Sequence, residues 1–92
     1  MSSMNGDEMN VQFINRIDAM VSARSDEAVK AIAAEYLTVV QARLHSGMWQ
    51  SHYADITRRK LIVALDGRAR DFRRQRHAHR AYRETMLLLA GR

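Results

Sequence analysis

Ninety-two residues, 47% hydrophobic and 27% charged, make one small domain that buries only about 60–65% of its unfolded surface. There is no cysteine, which excludes disulfides, thiolate metal sites and thiol redox chemistry and fits a reducing cytoplasm. The net charge of +5 is uneven: residues 1–50 carry four basic and six acidic side chains, residues 51–92 eleven basic and four acidic, so the first half reads as scaffold and the second as the part that meets a negative partner.

Residues 1–6 are small and polar and are expected to be disordered. The opening stretch has neither a basic n-region nor an apolar h-region, so no secretory signal is expected. Asp7 is placed to cap a first helix running from about Glu8 to Ala23, in which Phe13, Ile14, Ile17, Met20 and Val21 keep helical spacing. Ser25 is placed to cap a second, with Asp26 and Glu27 complementing its dipole. Val29, Ile32, Ala33, Tyr36, Val40 and Leu44 form its apolar stripe, and Gly47 can close it in the left-handed conformation. A link this short predicts an antiparallel hairpin of the two helices.

The segment from Met48 to Tyr53 reads as an aromatic connector, with Ser51 capping a third helix that starts near His52. Lys60–Leu65 is short and rich in β-branched residues, but a lone strand would lack a partner, so helix is preferred. Asp66-Gly67 is a turn signal. It favours a break there, with a basic C-terminal helix over residues 68–90, above a single helix running through the glycine at a cost of about 1 kcal/mol. The fold class expected is all-α: a small bundle of three or four helices in one domain, residues 1–92. The longest apolar runs, Leu61–Leu65 and Met86–Ala90, fall far short of the ~20 residues a membrane helix needs, so no membrane partner is expected.

The richest stretch is Arg68–Arg83, with seven arginines, two histidines and one acid, Asp71. On one continuous helical wheel, Leu65, Phe72, His79 and Met86 share a face, flanked by Leu61, Tyr82 and Leu89. Arg70, Arg73, Arg74, His77 and Arg80 fall on the far side and form the candidate anion-binding face, for nucleic acid or an acidic partner. Arg70 to Arg80 would span about 15 Å, close to half a turn of duplex DNA, which repeats every ~34 Å. Arg68, Arg76 and Arg83 fall nearer the apolar stripe; with Arg58, Arg59 and Lys60 they make a secondary basic set. Thirteen of the fifteen basic residues are arginine, the residue suited to bidentate phosphate and carboxylate contacts, whereas a face selected only for solubility would use more Lys and Glu. A helix-turn-helix reading of residues 55–83 fits poorly, because the arginines repeat around the helix instead of joining Asn, Gln and Ser at its N-terminal end, where bases are read.

Other constellations read as structural. His77 and His79 are two apart and face different sides of a helix, His45 and His52 are separated by a helix end, and no metal site is expected. Trp49 and Tyr53 read as a plug for the open end of the bundle, with a hot-spot anchor or stacking platform as the alternative. There is no nucleophile elbow, phosphate loop or HExxH, so neither an enzyme nor a cofactor is expected. The expectation is a small non-enzymatic cytoplasmic binding protein that inhibits or modulates a nucleoprotein complex, as mobile-element or phage inhibitors of host machinery do. Its partner would be an acidic protein surface or the nucleoprotein itself. Direct contact with a DNA or RNA backbone and a purely structural subunit are the alternatives. The apolar run Met86–Leu89 covers more than one side of its helix and predicts a homodimer.

Overall fold

A computed structural model describes residues 5–91, which form four helices: α1 (Gly6–Ser22), α2 (Asp26–His45), α3 (Ser51–Asp71) and α4 (Arg76–Leu89). They run up and down as a small all-α bundle measuring 41 × 21 × 21 Å, with no strand among the described residues. The run Lys60–Leu65 lies inside α3. Residues 1–4 and 92 lie outside the described residues, and so does most of the expected disordered N-terminus. Its last two residues are ordered: Asn5 caps α1, and Gly6 is buried. The Asn5 side chain accepts from the Glu8 N–H at 2.8 Å and donates to the Glu8 carboxylate at 3.2 Å, so Asn5, not Asp7, makes the reciprocal cap. Gly6 is selected by space: a Cβ there would fall 2.5 Å from Thr57 Oγ1. Its N–H donates to the Tyr53 hydroxyl at 2.9 Å, bringing the start of α1 against α3.

Ser25 stands at the start of α2 but makes no side-chain capping bond. Gly47 closes α2 at φ +77°, as its position in sequence predicts. Ser51 is the first helical residue of α3 and not its cap; that position is held by Gln50.

The largest departure from the sequence reading is at Gly67. α3 does not break there but continues to Asp71, and the chain turns over Phe72–Gln75. Burial explains the difference. Ala54, Thr57, Leu61, Leu65 and Ala69 form one buried line along α3, and a break at Gly67 would cut its last turn off. A helix running on would instead carry Ala78, Ala81, Tyr82, Thr85 and Leu89 beyond the end of the bundle, where nothing covers them. Turning at Phe72 lets α4 come back antiparallel along α3 and bury all five. The Phe72 ring stacks on Tyr82 at 5.8 Å, and the His79 Nδ1–H donates to the Ala69 carbonyl at 2.7 Å, which closes the turn from inside.

The core is apolar: Met9, Phe13, Ile17 and Val21 from α1, Val29, Ile32 and Tyr36 from α2, Leu61 and Leu65 from α3, and Tyr82 and Leu89 from α4. Two polar junctions fasten the helices, one inside the core and one at its part-exposed edge, both centred on α1. The buried Asn10 amide donates to the Thr57 carbonyl at 2.8 Å and its oxygen accepts the Tyr36 hydroxyl at 2.7 Å, linking α1, α2 and α3. One turn from the other end, Asp18 accepts Arg68 Nε and Nη2 at 3.0–3.2 Å and also the Tyr82 hydroxyl, linking α1, α3 and α4. Trp49 is buried at the opposite end, edge-to-face with Tyr53 at 5.1 Å and under the Arg43 guanidinium at 4.9 Å, so it plugs the bundle.

Both junction tyrosines resist ionisation. Burial raises the pKa of Tyr36 well above its usual 10, and burial followed by the bond to Asp18 does the same for Tyr82. A raised folded-state pKa contributes stability that is complete below the unfolded value near 10 and is lost as pH rises beyond it. Stability should therefore fall above pH 10 by about 1.4 kcal/mol per pH unit for each tyrosine. Melting curves at pH 9 and pH 11 check this. Tyr36→Phe and Tyr82→Phe should each be less stable than wild type at pH 7 and should each lose less on going to pH 11.

Candidate functional site

The turn at Phe72–Gln75 divides the arginine-rich stretch among three settings. Arg68 and Arg70 lie in the last turn of α3, Arg73 and Arg74 in the turn itself, and Arg76, His77, Arg80 and Arg83 on α4. The single helix face expected for Arg70, Arg73, Arg74, His77 and Arg80 is therefore not formed, because the helix that would carry it ends at Asp71.

Ion pairing then sorts the basic residues. Arg58 and Arg59 both hold Asp55, at 2.9 and 3.1 Å, and Arg58 also donates to the Leu89 carbonyl at 2.8 Å, satisfying the C-terminal end of α4. Lys60 reaches Asp7 at 3.3 Å, and Arg68 belongs to the Asp18 junction. These four of the secondary set are tied into the fold. Arg70 is exposed but held by Asp66 at 3.1 Å. His77 is half-buried; its Nε2 lies 3.3 Å from Asp26 without the alignment of a hydrogen bond. Arg73, Arg74, Arg76, Arg80 and Arg83 are all exposed and have no acidic partner among the described residues. Arg76 and Arg83 were placed beside the apolar stripe by the continuous wheel. On the real α4 they line up with Arg80 on the outer side at i, i+4 and i+7, about 10 Å from end to end.

A sixth arginine joins them that the sequence reading did not single out. Arg24 sits in the α1–α2 turn, which the up-and-down order places at the same end of the bundle as the α3–α4 turn. It too is exposed and unpaired among the described residues. A signal existed: a three-residue hairpin link between α1 and α2 must come out at the end where α3 hands over to α4. Between the two turns lies an open cleft of about 390 Å³. Val21, Phe72 and Ala78 give it apolar surface; Ser22, Arg24, Gln75, Arg76 and His77 give it polar surface. Of the acids close to this end, Asp18 is engaged by Arg68 and Tyr82 and Asp66 by Arg70, and the charge of Asp71 acts on Arg68; Asp26 lies 3.3 Å from His77, and Glu27 is exposed beside it in the first turn of α2.

The remaining candidates behave structurally. Trp49 is buried and Tyr53 is 42% exposed, with its hydroxyl engaged by Gly6. His79 is spent on the Ala69 carbonyl. Among the described residues no group of three His, Asp or Glu side chains is placed to hold a metal, and no helix is long and apolar enough to cross a membrane. At the opposite end an apolar groove of about 310 Å³ runs between Leu37, Val40 and Leu44 on one side and Ala54, Leu88 and Leu89 on the other.

Charge removal at the two kinds of arginine should read differently. Arg68→Gln strips Asp18 of its charged partner, leaving the Tyr82 hydroxyl, and should cost about 1 kcal/mol, the Asp18–Arg68 pair being one-third exposed and partly screened. Arg73→Gln/Arg74→Gln should leave the unfolding free energy within about 0.5 kcal/mol of wild type. Parallel urea titrations decide it. Comparison with known protein families, with curated proteins and with solved structures finds no match to this chain.

Proposed function

We propose that this chain is a small, non-enzymatic binding protein of the cytoplasm that docks on a nucleoprotein complex through its arginine end and modulates or inhibits it. What supports the reading is one observation: Arg24, Arg73, Arg74 and Arg76 at one end of the bundle, and Arg80 and Arg83 continuing along the outer side of α4, have no acidic partners among the described residues, while the basic side chains of α3 are paired with carboxylates within the fold. The arginines of α3 that serve the fold are found with carboxylates. Six left open hold their donor forks toward solvent, in the geometry that meets phosphate or carboxylate oxygens in pairs. Exposed like charges at such density repel one another and add nothing to stability, so an anionic partner is the simplest reason to keep them. The direct reading, a regulator that contacts a DNA or RNA backbone itself, uses the same side chains. Assembly belongs to the proposal as well: Leu87 and Leu88 are 48% and 39% exposed on the last turn of α4, and a second copy would cover them. Light scattering across micromolar concentrations should then give twice the monomer mass, and a monomer throughout would remove that part.

The test of the docking surface is the joint variant Arg73→Gln/Arg74→Gln/Arg80→Gln/Arg83→Gln. Glutamine keeps helix propensity and removes charge. Affinity purification from the native host should recover a nucleoprotein with the wild-type chain and lose it with the variant, while the helical spectrum and melting point hold. Where the contact is with phosphates, the log–log salt slope should fall by up to about four. Partner recovery that is indifferent to all four substitutions would remove the arginine end from the function.

A further inference from the structure

One helix end at this pole, that of α1, is anomalous. Three helices of the chain finish with a residue in the left-handed conformation, where a side chain clashes with its own backbone and glycine is favoured. α2 uses Gly47 at φ +77° and α4 uses Gly91 at φ +79°. α1 uses Arg24 at φ +56°, the only non-glycine residue with positive φ among the described residues. The hydrogen bonds there are those of the six-residue C-terminal motif that ordinarily wants glycine: Ser25 N–H to the Met20 carbonyl and Arg24 N–H to the Val21 carbonyl, both 3.0 Å. A glycine would relieve the strain. The arginine contributes no ion pair in return, and it borders the cleft. A strained residue kept where the fold does not need its side chain points to a task for that side chain.

We propose that the cleft between the two turns is a binding site for a nucleoside phosphate, with the phosphate held between Arg24 and Arg76 and the base against the part-exposed Phe72 ring. The cavity of about 390 Å³ lies in the range of small-ligand sites. Its make-up matches a nucleotide in kind: one cation from the α1–α2 turn and one from the start of α4, the part-exposed Phe72 ring in the same lining, and Gln75, which can both donate and accept. Arg73, Arg74 and Arg80 lie outside the cleft and would follow the neighbouring phosphates of a strand. The inference rests on the reading of the arginine end as the docking surface, and names the strand of the nucleoprotein as what that surface meets. A strand and a free nucleotide share this chemistry.

The experiment uses the full chain with three probes: a fluorescein-labelled ten-residue oligothymidylate, thymidine 5′-monophosphate and inorganic phosphate. Arg24→Gly is the informative variant, because glycine suits the backbone there; its melting temperature should equal or exceed that of wild type. Its affinity for the oligonucleotide should drop about tenfold or more, the loss of one charge-assisted contact, and Arg76→Gln should act alike. Thymidine monophosphate at millimolar concentration should move the backbone amide resonances of Arg24 and of Phe72–Ala78 in the wild type and not in Arg24→Gly. Tighter binding of the oligonucleotide than of the mononucleotide assigns the site to a strand, and the reverse to a free nucleotide. Inorganic phosphate acting as strongly as the mononucleotide would overturn the base contact with Phe72. Oligonucleotide binding that Arg24→Gly leaves intact but the four-arginine variant abolishes would overturn the cleft while leaving the docking surface standing. A protein partner that survives nuclease, with no oligonucleotide binding by wild type, would overturn the nucleotide and leave an acidic protein as the occupant.

Discussion

The architecture depends on a buried amide. Asn10 lies in the core of α1 with its nitrogen donating to the α3 backbone and its oxygen receiving the Tyr36 hydroxyl of α2. A polar group in an apolar interior is tolerated only when its hydrogen bonds are made, and leaving one unmade costs about 1–3 kcal/mol. That penalty sets the register of three helices: sliding α1 by one residue against α2 or α3 would strand Asn10, Tyr36 and the Thr57 carbonyl together. Apolar packing alone permits such slips at small cost, since one aliphatic contact replaces another. In a chain of 92 residues with a thin stability margin, a single polar junction can therefore do the specifying that a larger core does by shape.

Asp18 repeats the device toward the other end of α1 and has a second consequence. By taking Arg68 and Tyr82 it brings α3 and α4 together near their shared turn. It also removes Arg68 from the cations available to a partner. Asp55, Asp7 and Asp66 act similarly on Arg58, Arg59, Lys60 and Arg70. The fold thus uses its acids to neutralise the long helix α3. The charge left open lies on α4 and on the two turns, an arrangement no count of basic residues conveys.

The two ends of the bundle differ in kind. One presents arginines around an open cleft; the other is closed by Trp49 and carries an apolar groove with Leu88 at its edge. An anionic partner and a partner that covers apolar surface would therefore meet the molecule at opposite ends, up to about 41 Å apart, without competing.

Several features follow from the sequence by itself. Periodicity and the absence of proline determine helices, since each long segment can bury only one face and only at helical spacing. The stripe Leu61, Leu65, Phe72, Tyr82, Met86 and Leu89 was legible, and all six are buried or packed against the core. So were the left-handed closure at Gly47, the bland role of Trp49 and the concentration of arginine between residues 68 and 83. Tertiary structure decided the rest. Whether α3 stops at Gly67 or at Asp71 depends on which choice lets α4 fold back over a buried face, a competition between a weak local signal of about 1 kcal/mol and the burial of five side chains. Which arginines are open depends on carboxylates as far as 53 residues away in sequence, as Lys60 and Asp7 show for the neighbouring basic trio. Arg24, isolated in sequence, joins the arginine end only because an up-and-down bundle sets alternate turns side by side. Pairing and proximity are properties of three dimensions, and a pattern read along one helix axis cannot contain them.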